Sequence, residues 1–168
     1  MKYVRMAIER ESPEEIGYGL IANNLSESSI RDHTLSELDI GICGSVVDET
    51  IAARVLGRRQ SLMAETSARI KRRLGIMREW IAGEPLVEWV KPAGGVVALP
   101  HLNGLVGRNM GGFHRRLLAD YGTYVGPGHW FGMPPHVIRI GFDWPTEAEL
   151  HNGLAGISKA MRAELAAS

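Results

Sequence analysis

The sequence predicts an α+β fold: an open, mostly antiparallel sheet with helices on one face and a long N-terminal helix. Three observations predict it. Residues 45–82 repeat apolar side chains at helical spacing, with Ile70, Leu74, Met77 and Ile81 on one stripe. Four short runs, 86–90, 95–99, 123–125 and 137–142, are apolar, strand-length and bounded by Gly or Pro. The chain then closes on an amphipathic stripe of Leu150, Leu154, Ile157, Met161 and Leu165. The resulting order is long helix, two strands, helix, two strands, helix.

Taken in order, residues 1–15 are polar and broken at Ser12-Pro13, with a short helix expected from Tyr3 to Arg10. IGYGLIA (16–22) reads as a short buried strand, ended by Asn23-Asn24. A helix is expected from about Ser26 to Leu38, followed by an irregular passage around Gly41, Cys43 and Gly44. Ser45 with Asp48 forms a capping-box pattern that starts the long helix. Gly57 predicts a bend within it, and Gly83 with Pro85 stops it. LVEWV (86–90) and GVVAL (95–99), joined by Lys91-Pro92-Ala93-Gly94, read as a hairpin, and residues 101–108 as a loop. Met110 to Tyr121 reads as a helix with Phe113, Leu117 and Tyr121 on one face and Gly122 as its cap. Thr146 with Glu149 is a second capping box, opening the last helix.

Composition narrows the function classes. The 168 residues suit one domain or one domain plus an appendage, and 45% apolar content argues against disorder. With 19 basic and 19 acidic side chains the net charge is zero, so no global field draws nucleic acid or anionic membrane. Eight basic residues lie on the long helix (Arg54, Arg58, Arg59, Arg69, Lys71, Arg72, Arg73, Arg78). Without aromatic or glycine-rich recognition elements beside them, they read as a solvated face, and no nucleic-acid partner is expected. No apolar run reaches the roughly 18 residues of a membrane span, and no signal-peptide core is seen near Met1; a cytoplasmic protein is expected. The lone Cys43 in IGICG reads as a small buried hydrophobe. The six histidines (His33, His101, His114, His129, His136, His151) show no metal-ligand spacing. Neither a GxGxxG turn after a strand nor a nucleophile elbow is present.

Arg139 is the chemically informative residue. The run 137–142 alternates, with Ile138, Ile140 and Phe142 on one face and Val137, Arg139 and Gly141 on the other. A mid-strand guanidinium needs a partner, because a buried unpaired charge costs several kcal/mol, roughly. That partner is either an acid of the same chain or a bound carboxylate, which a planar fork of donors receives in bidentate fashion. Gly141 is expected to leave space beside it, and Arg139 to look out from the bare side of the sheet.

The turn PGHWFG before this strand and PTEAE after it resemble the C-terminal segment of fold-type I, pyridoxal-phosphate-dependent aminotransferases of classes I and II. Other pieces are similar to that family in the same order: IGYGLIAN (16–23), IAARVL (51–56), VEWVKPAGGVVALPHL (87–102) and LADYGTYVGPGHWFG (118–132). The resemblance implies three parts. Residues 1–44 would be a lead-in with a remnant of a large-domain strand and a short helix, 45–84 the interdomain helix, and 85–168 the small domain. It implies that Arg139 is the clamp for the α-carboxylate of an amino acid or keto acid, with His129 and Trp130 lining the substrate space. It also implies pyridoxal phosphate as cofactor and transamination as the reaction of the full-length family.

The departures from the family pattern limit what this chain does. Where the family carries its Schiff-base lysine and phosphate-binding arginine, this chain reads MAIERESPEEIGY, with Glu15 at the arginine's place and the lysine's place near Ala7. Lys2 is the only lysine nearby. No counterpart of the large domain is present. A truncated, catalytically inactive small domain is therefore expected, with no residue of its own in a catalytic role and no covalent hold on the cofactor. The alternative is a non-catalytic interaction module. Its apolar surface would be covered by self-association, as a dimer, or by a separate partner chain.

Overall fold

The computed structural model describes residues 11–26 and 45–167. The helices expected at 3–10 and 26–38, and Cys43 and His33, lie outside the described residues, apart from Ser26. Helix α1 is a single turn, Pro13–Ile16, followed by a 3-10 turn at Tyr18–Leu20 and strand β1 at Asn23–Asn24. The strand expected over 16–22 is therefore not formed. Pro13 favours a first helical turn, and Gly17, at φ 97°, closes it by donating to the Pro13 carbonyl.

The long helix is two pieces, α2 (Ser45–Gly57) and α3 (Arg59–Gly83). The break lies at Arg58, as Gly57 predicts; the Arg58 amide still donates to Arg54 and Val55 at 3.1 Å. The Ser45 side chain, half of the expected capping box, is outside the described set. Strands β2 (Val87–Glu88), β3 (Val97–Ala98) and β4 (His101–Leu102) follow. Helix α4 spans Met110–Tyr121, β5 Thr123–Tyr124, β6 Gly126–Pro127, β7 Ile138–Gly141, and α5 Glu147–Ala166. The second capping box forms: Thr146 Oγ1 accepts from the Glu149 amide at 3.2 Å, and Glu149 Oε2 accepts from the Thr146 amide at 2.6 Å.

The strand pairing corrects one expectation. β2 does not pair with β3 in a hairpin; it pairs antiparallel with β4, Val87 opposite Leu102. β3 pairs antiparallel with β7 instead, Val97 opposite Gly141. The Lys91–Val96 connection is too loose to fix a tight turn, so each strand takes the longer-range partner that buries its apolar side chain. β6 lies on the other edge of β7, Gly126 opposite Arg139, and β1 runs parallel to β5, Asn23 opposite Thr123.

The core sits between these strands and three helices. Leu150, Leu154, Ile157 and Met161 of α5 and Phe113 and Leu117 of α4 are each at most 2% exposed. They meet Ile138, Ile140, Phe142, Leu102 and Met77, all fully buried, with Ile70, Leu74 and Ile81 of α3 packed at the margin. Leu25, next to β1, is also fully buried in this cluster. Gly122 caps α4 in the left-handed conformation at φ 57°, and a Cβ there would meet the Ala22 Cβ at 2.8 Å. A side chain at 122 would thus push β1 away from β5.

Polar pins complete the attachment of α3. Asp143, just beyond β7, has a fully buried side chain. Arg69 Nε and Nη2 donate to its two carboxylate oxygens at 3.0 and 3.1 Å, a bidentate fork. Arg73 Nη1 donates both to the Asp143 backbone carbonyl and, at 3.1 Å, to its Oδ1. Arg69 and Arg73 thus depart from the expected solvated basic face; four residues apart, they share one side of the helix and turn inward. Burial pulls the Arg73 guanidinium below its ordinary pKa, while the hydrogen bond that Arg69 donates to Asp143 holds Arg69 above its own. Further along, Trp80 Nε1 donates to Ser158 Oγ at 2.9 Å, and Arg162 Nη2 reaches both Glu84 oxygens at 2.8 and 2.9 Å.

One half-buried titratable group sets a pH dependence. His114 on α4 has its pKa lowered to about 4, first by burial and then by the charge of His129, with Glu11 opposing. The unfolded chain therefore binds a proton that the folded chain refuses between about pH 6.5 and about pH 4. Stability from this group is fully present above that window and is lost as pH falls through it. We predict that urea unfolding shows a loss of about 2 kcal/mol between about pH 7 and about pH 5 that His114→Gln lacks. Equal pH profiles for the two proteins would contradict this.

Candidate functional site

The site is built around β7. Arg139 is half-buried between the fully buried Ile138 and Ile140. The strand's second face, expected from the sequence to be bare, is covered. Val137 and Gly141 are buried there too, and the Gly141 amide donates to the Leu25 carbonyl at 2.6 Å. Leu25 in turn donates to the Tyr124 carbonyl at 2.8 Å, so residues 23–26 are inserted between β5 and the end of β7. Arg139 Nη1 donates to the Ser26 carbonyl. Its guanidinium carbon lies 5.5 Å from the centre of the Phe131 ring, a cation–π contact.

The turn Gly128–Phe131 supplies the aromatic wall. It must fold back sharply, because a Cβ at Gly128 would sit 2.5 Å from the Val137 carbonyl oxygen and 2.6 Å from that of Pro134. Backbone on both sides leaves room only for glycine. The turn then presents His129, Trp130 and Phe131 in succession. The Trp130 ring lies 6.4 Å from Tyr124 and 6.3 Å from Phe131. Two of these residues share one acid: Trp130 Nε1 donates to Glu11 Oε2 at 2.9 Å, and His129 Nε2 lies 2.8 Å from the same oxygen. Tyr124 donates its hydroxyl to the Glu11 carbonyl. Burial pushes the Tyr124 hydroxyl up to about 12, with the Glu11 charge adding to it, so it stays a protonated donor.

The structure thus brings His129 and Trp130 into the neighbourhood of Arg139 that the sequence suggested, through Phe131 and Tyr124. Glu11, Ser26 and Phe131 were not singled out by sequence reasoning. Glu11 and Ser26 come from more than 110 residues away along the chain, and no local pattern signals such a contact. Phe131 was legible as the aromatic eight residues before the arginine. Among the described residues, no group of three or more His, Cys, Asp or Glu is placed to hold a metal ion, and no helix is long and apolar enough to cross a membrane.

No family model and no curated protein matches the chain. Solved structures do. A PLP-dependent aminotransferase from Streptococcus suis 89-1591 matches 73% of this chain at 27% identity and a TM-score of 0.63, over 32% of its own length. The PLP-dependent cyclase OrfR matches 72% at 31% identity and a TM-score of 0.61, again over 32% of its length. The aspartate aminotransferase of Rhizobium meliloti shares the fold at 22% identity and a TM-score of 0.61, over 76% of this chain and 34% of its own. The chain therefore spans about a third of the structures it matches. Its α+β fold is shared with about a third of each of these PLP-dependent enzymes.

Proposed function

We propose that this chain is the carboxylate-recognition part of a PLP-dependent aminotransferase and that Arg139 grips the substrate's α-carboxylate. The observation that carries the reading is a guanidinium held in mid-strand against the Phe131 ring, on a fold shared with that family. In this chain the Ser26 carbonyl accepts a hydrogen bond from Arg139, as one oxygen of a carboxylate would. A substrate carboxylate would displace that carbonyl and form two charge-assisted bonds in its place. The Glu11-bound His129 and Trp130 would hold the aromatic turn, and with it Phe131, in position. The division into interdomain helix (45–84) and small domain (85–168) belongs to the same reading.

We infer that this chain does not hold pyridoxal phosphate covalently. Lys71 and Lys91 stand at a groove between α3 and the residue 91–95 loop, and Lys159 lies over the Tyr121 ring, 6.0 Å from its centre. We infer that the cofactor and the reaction belong to protein outside these residues, and no chemical step is assigned to this chain. That one similar structure is a cyclase supports leaving the reaction class to that other part. The test combines two readouts on the purified chain. Adding an amino acid or 2-keto acid should shift the Arg139 Nε–H resonance saturably, an effect lost in Arg139→Gln. Adding pyridoxal phosphate and then borohydride should leave no cofactor on the protein. An unmoved Arg139 would overturn the first claim, and a reduced adduct on one lysine the second.

A second reading, an interaction module, is favoured by one observation. Leu56 on α2 and Met63 on α3, about two turns apart across the break at Arg58, are 61% and 67% exposed. Apolar side chains left wet along a helix suit self-association or a separate partner chain. Sedimentation at micromolar concentration should then give a mass above the 18.4 kDa of one chain, and Leu56→Lys with Met63→Lys should restore it to that value. A monomer at all concentrations would remove the self-association form of this reading.

A further inference from the structure

A second site lies away from Arg139 and shares no residue with it. The outward side of α3 and the loop after β2 enclose a groove of about 560 Å³ lined by Ser67, Ile70, Lys71, Leu74 and residues 91–95. Its floor is apolar, from the half-buried Ile70 and Leu74 with Pro92 and Ala93 opposite. Its only charged side chains are cationic. Lys71 and Lys91 bring two ammonium groups and Ser67 a hydroxyl; Gly94 and Gly95 bring backbone amides that donate to no carbonyl among the described residues.

The contrast with the rest of α3 is informative. Arg69 and Arg73 have Asp143, and Arg72 has Glu147 at 3.2 Å. Lys71, in the middle of that run, and Lys91 across from it have no ion-pair partner among the described residues, and no acid lines the groove. Two like charges on one concave surface repel each other and focus a positive potential into it. An anionic group in the groove relieves both effects. The apolar floor asks for more than a bare anion, because half-exposed Ile and Leu gain only when an apolar body covers them.

We propose that this groove binds a small amphipathic anion: a flat apolar body carrying one carboxylate, sulfonate or phosphate group. The head lies between Lys71 and Lys91, within reach of the Gly94 and Gly95 amides, and the body lies on Ile70 and Leu74. Gly95, at φ 82°, keeps the loop open in a shape that a side chain would disfavour.

The probe is 8-anilinonaphthalene-1-sulfonate, which has both parts, set against inorganic phosphate, which has the head alone. The expected result is saturable binding of one probe per chain, with amide shifts confined to residues 67–74 and 91–95. The double variant Lys71→Glu, Lys91→Glu should weaken it at least tenfold; both side chains are exposed, so the fold is retained. Lys159→Glu, the same type of charge reversal at one position on α5, should leave it unchanged. Inorganic phosphate should bind at least tenfold more weakly than the probe. Shifts mapping elsewhere, an unweakened double variant, or phosphate binding as tightly as the probe would each overturn the proposal.

Discussion

Asp143 is the constraint on which the architecture depends. Its carboxylate is withdrawn from water at the end of the strand that carries Arg139, and it is stable there only because two guanidinium groups of α3 reach it. Such a pair is directional in a way that apolar packing is not. Leu or Ile can slide along one another at little cost, whereas a fork of two N–H groups on two oxygens fixes both position and rotation. The long helix is thereby held at one register against β7. The polar contacts of Trp80 with Ser158 and of Arg162 with Glu84 continue that register to the helix's C-terminal end.

The site inherits its order from this arrangement. β7 is short, four residues, and is held on one edge by β3 and on the other by β6. The peptide that shields Arg139 from the far side comes from residues 23–26, over a hundred positions earlier in sequence. Side chains that have to meet with such precision across the chain need both ends of the strand anchored. The Gly141 amide's bond to the Leu25 carbonyl and the Asp143 ion pairs hold the C-terminal end, and the Ile138 amide's bond to the Pro100 carbonyl holds the other.

Much of the fold was legible because it is local. The helix at 147–166 announces itself by a capping box and a stripe of period 3.6, and both are present. Gly57 and Gly122 marked a break and a cap for the same reason: their effect is on the backbone within one turn. What was illegible is what depends on long-range choice. The hairpin expected between 86–90 and 95–99 lost to pairings with 101–102 and 140–141, because strands of two residues are chosen by burial and not by the turn between them. The basic run on α3 was read by composition as solvated. Only its partner, Asp143, some seventy residues on, distinguishes Arg69 and Arg73 from Lys71 and Arg78. Arg139 itself was found by its oddity in an apolar strand, whereas Ser26, which accepts from it, and Glu11, which holds the neighbouring turn, carry no such mark.

The measurement closest to the centre of this account is the unfolding free energy of Asp143→Ala in urea, with Asp143→Leu, Arg73→Met as its companion. Removing the acid alone leaves Arg73 buried without its ion pair and should cost about 3 kcal/mol or more, while the double change, which removes the two buried charges and leaves only the more exposed Arg69, should recover most of that loss. If Asp143→Ala unfolds within about 0.5 kcal/mol of the unaltered protein, the ion pairs do not hold α3 to the strand, and the account of how Arg139 is positioned fails with them.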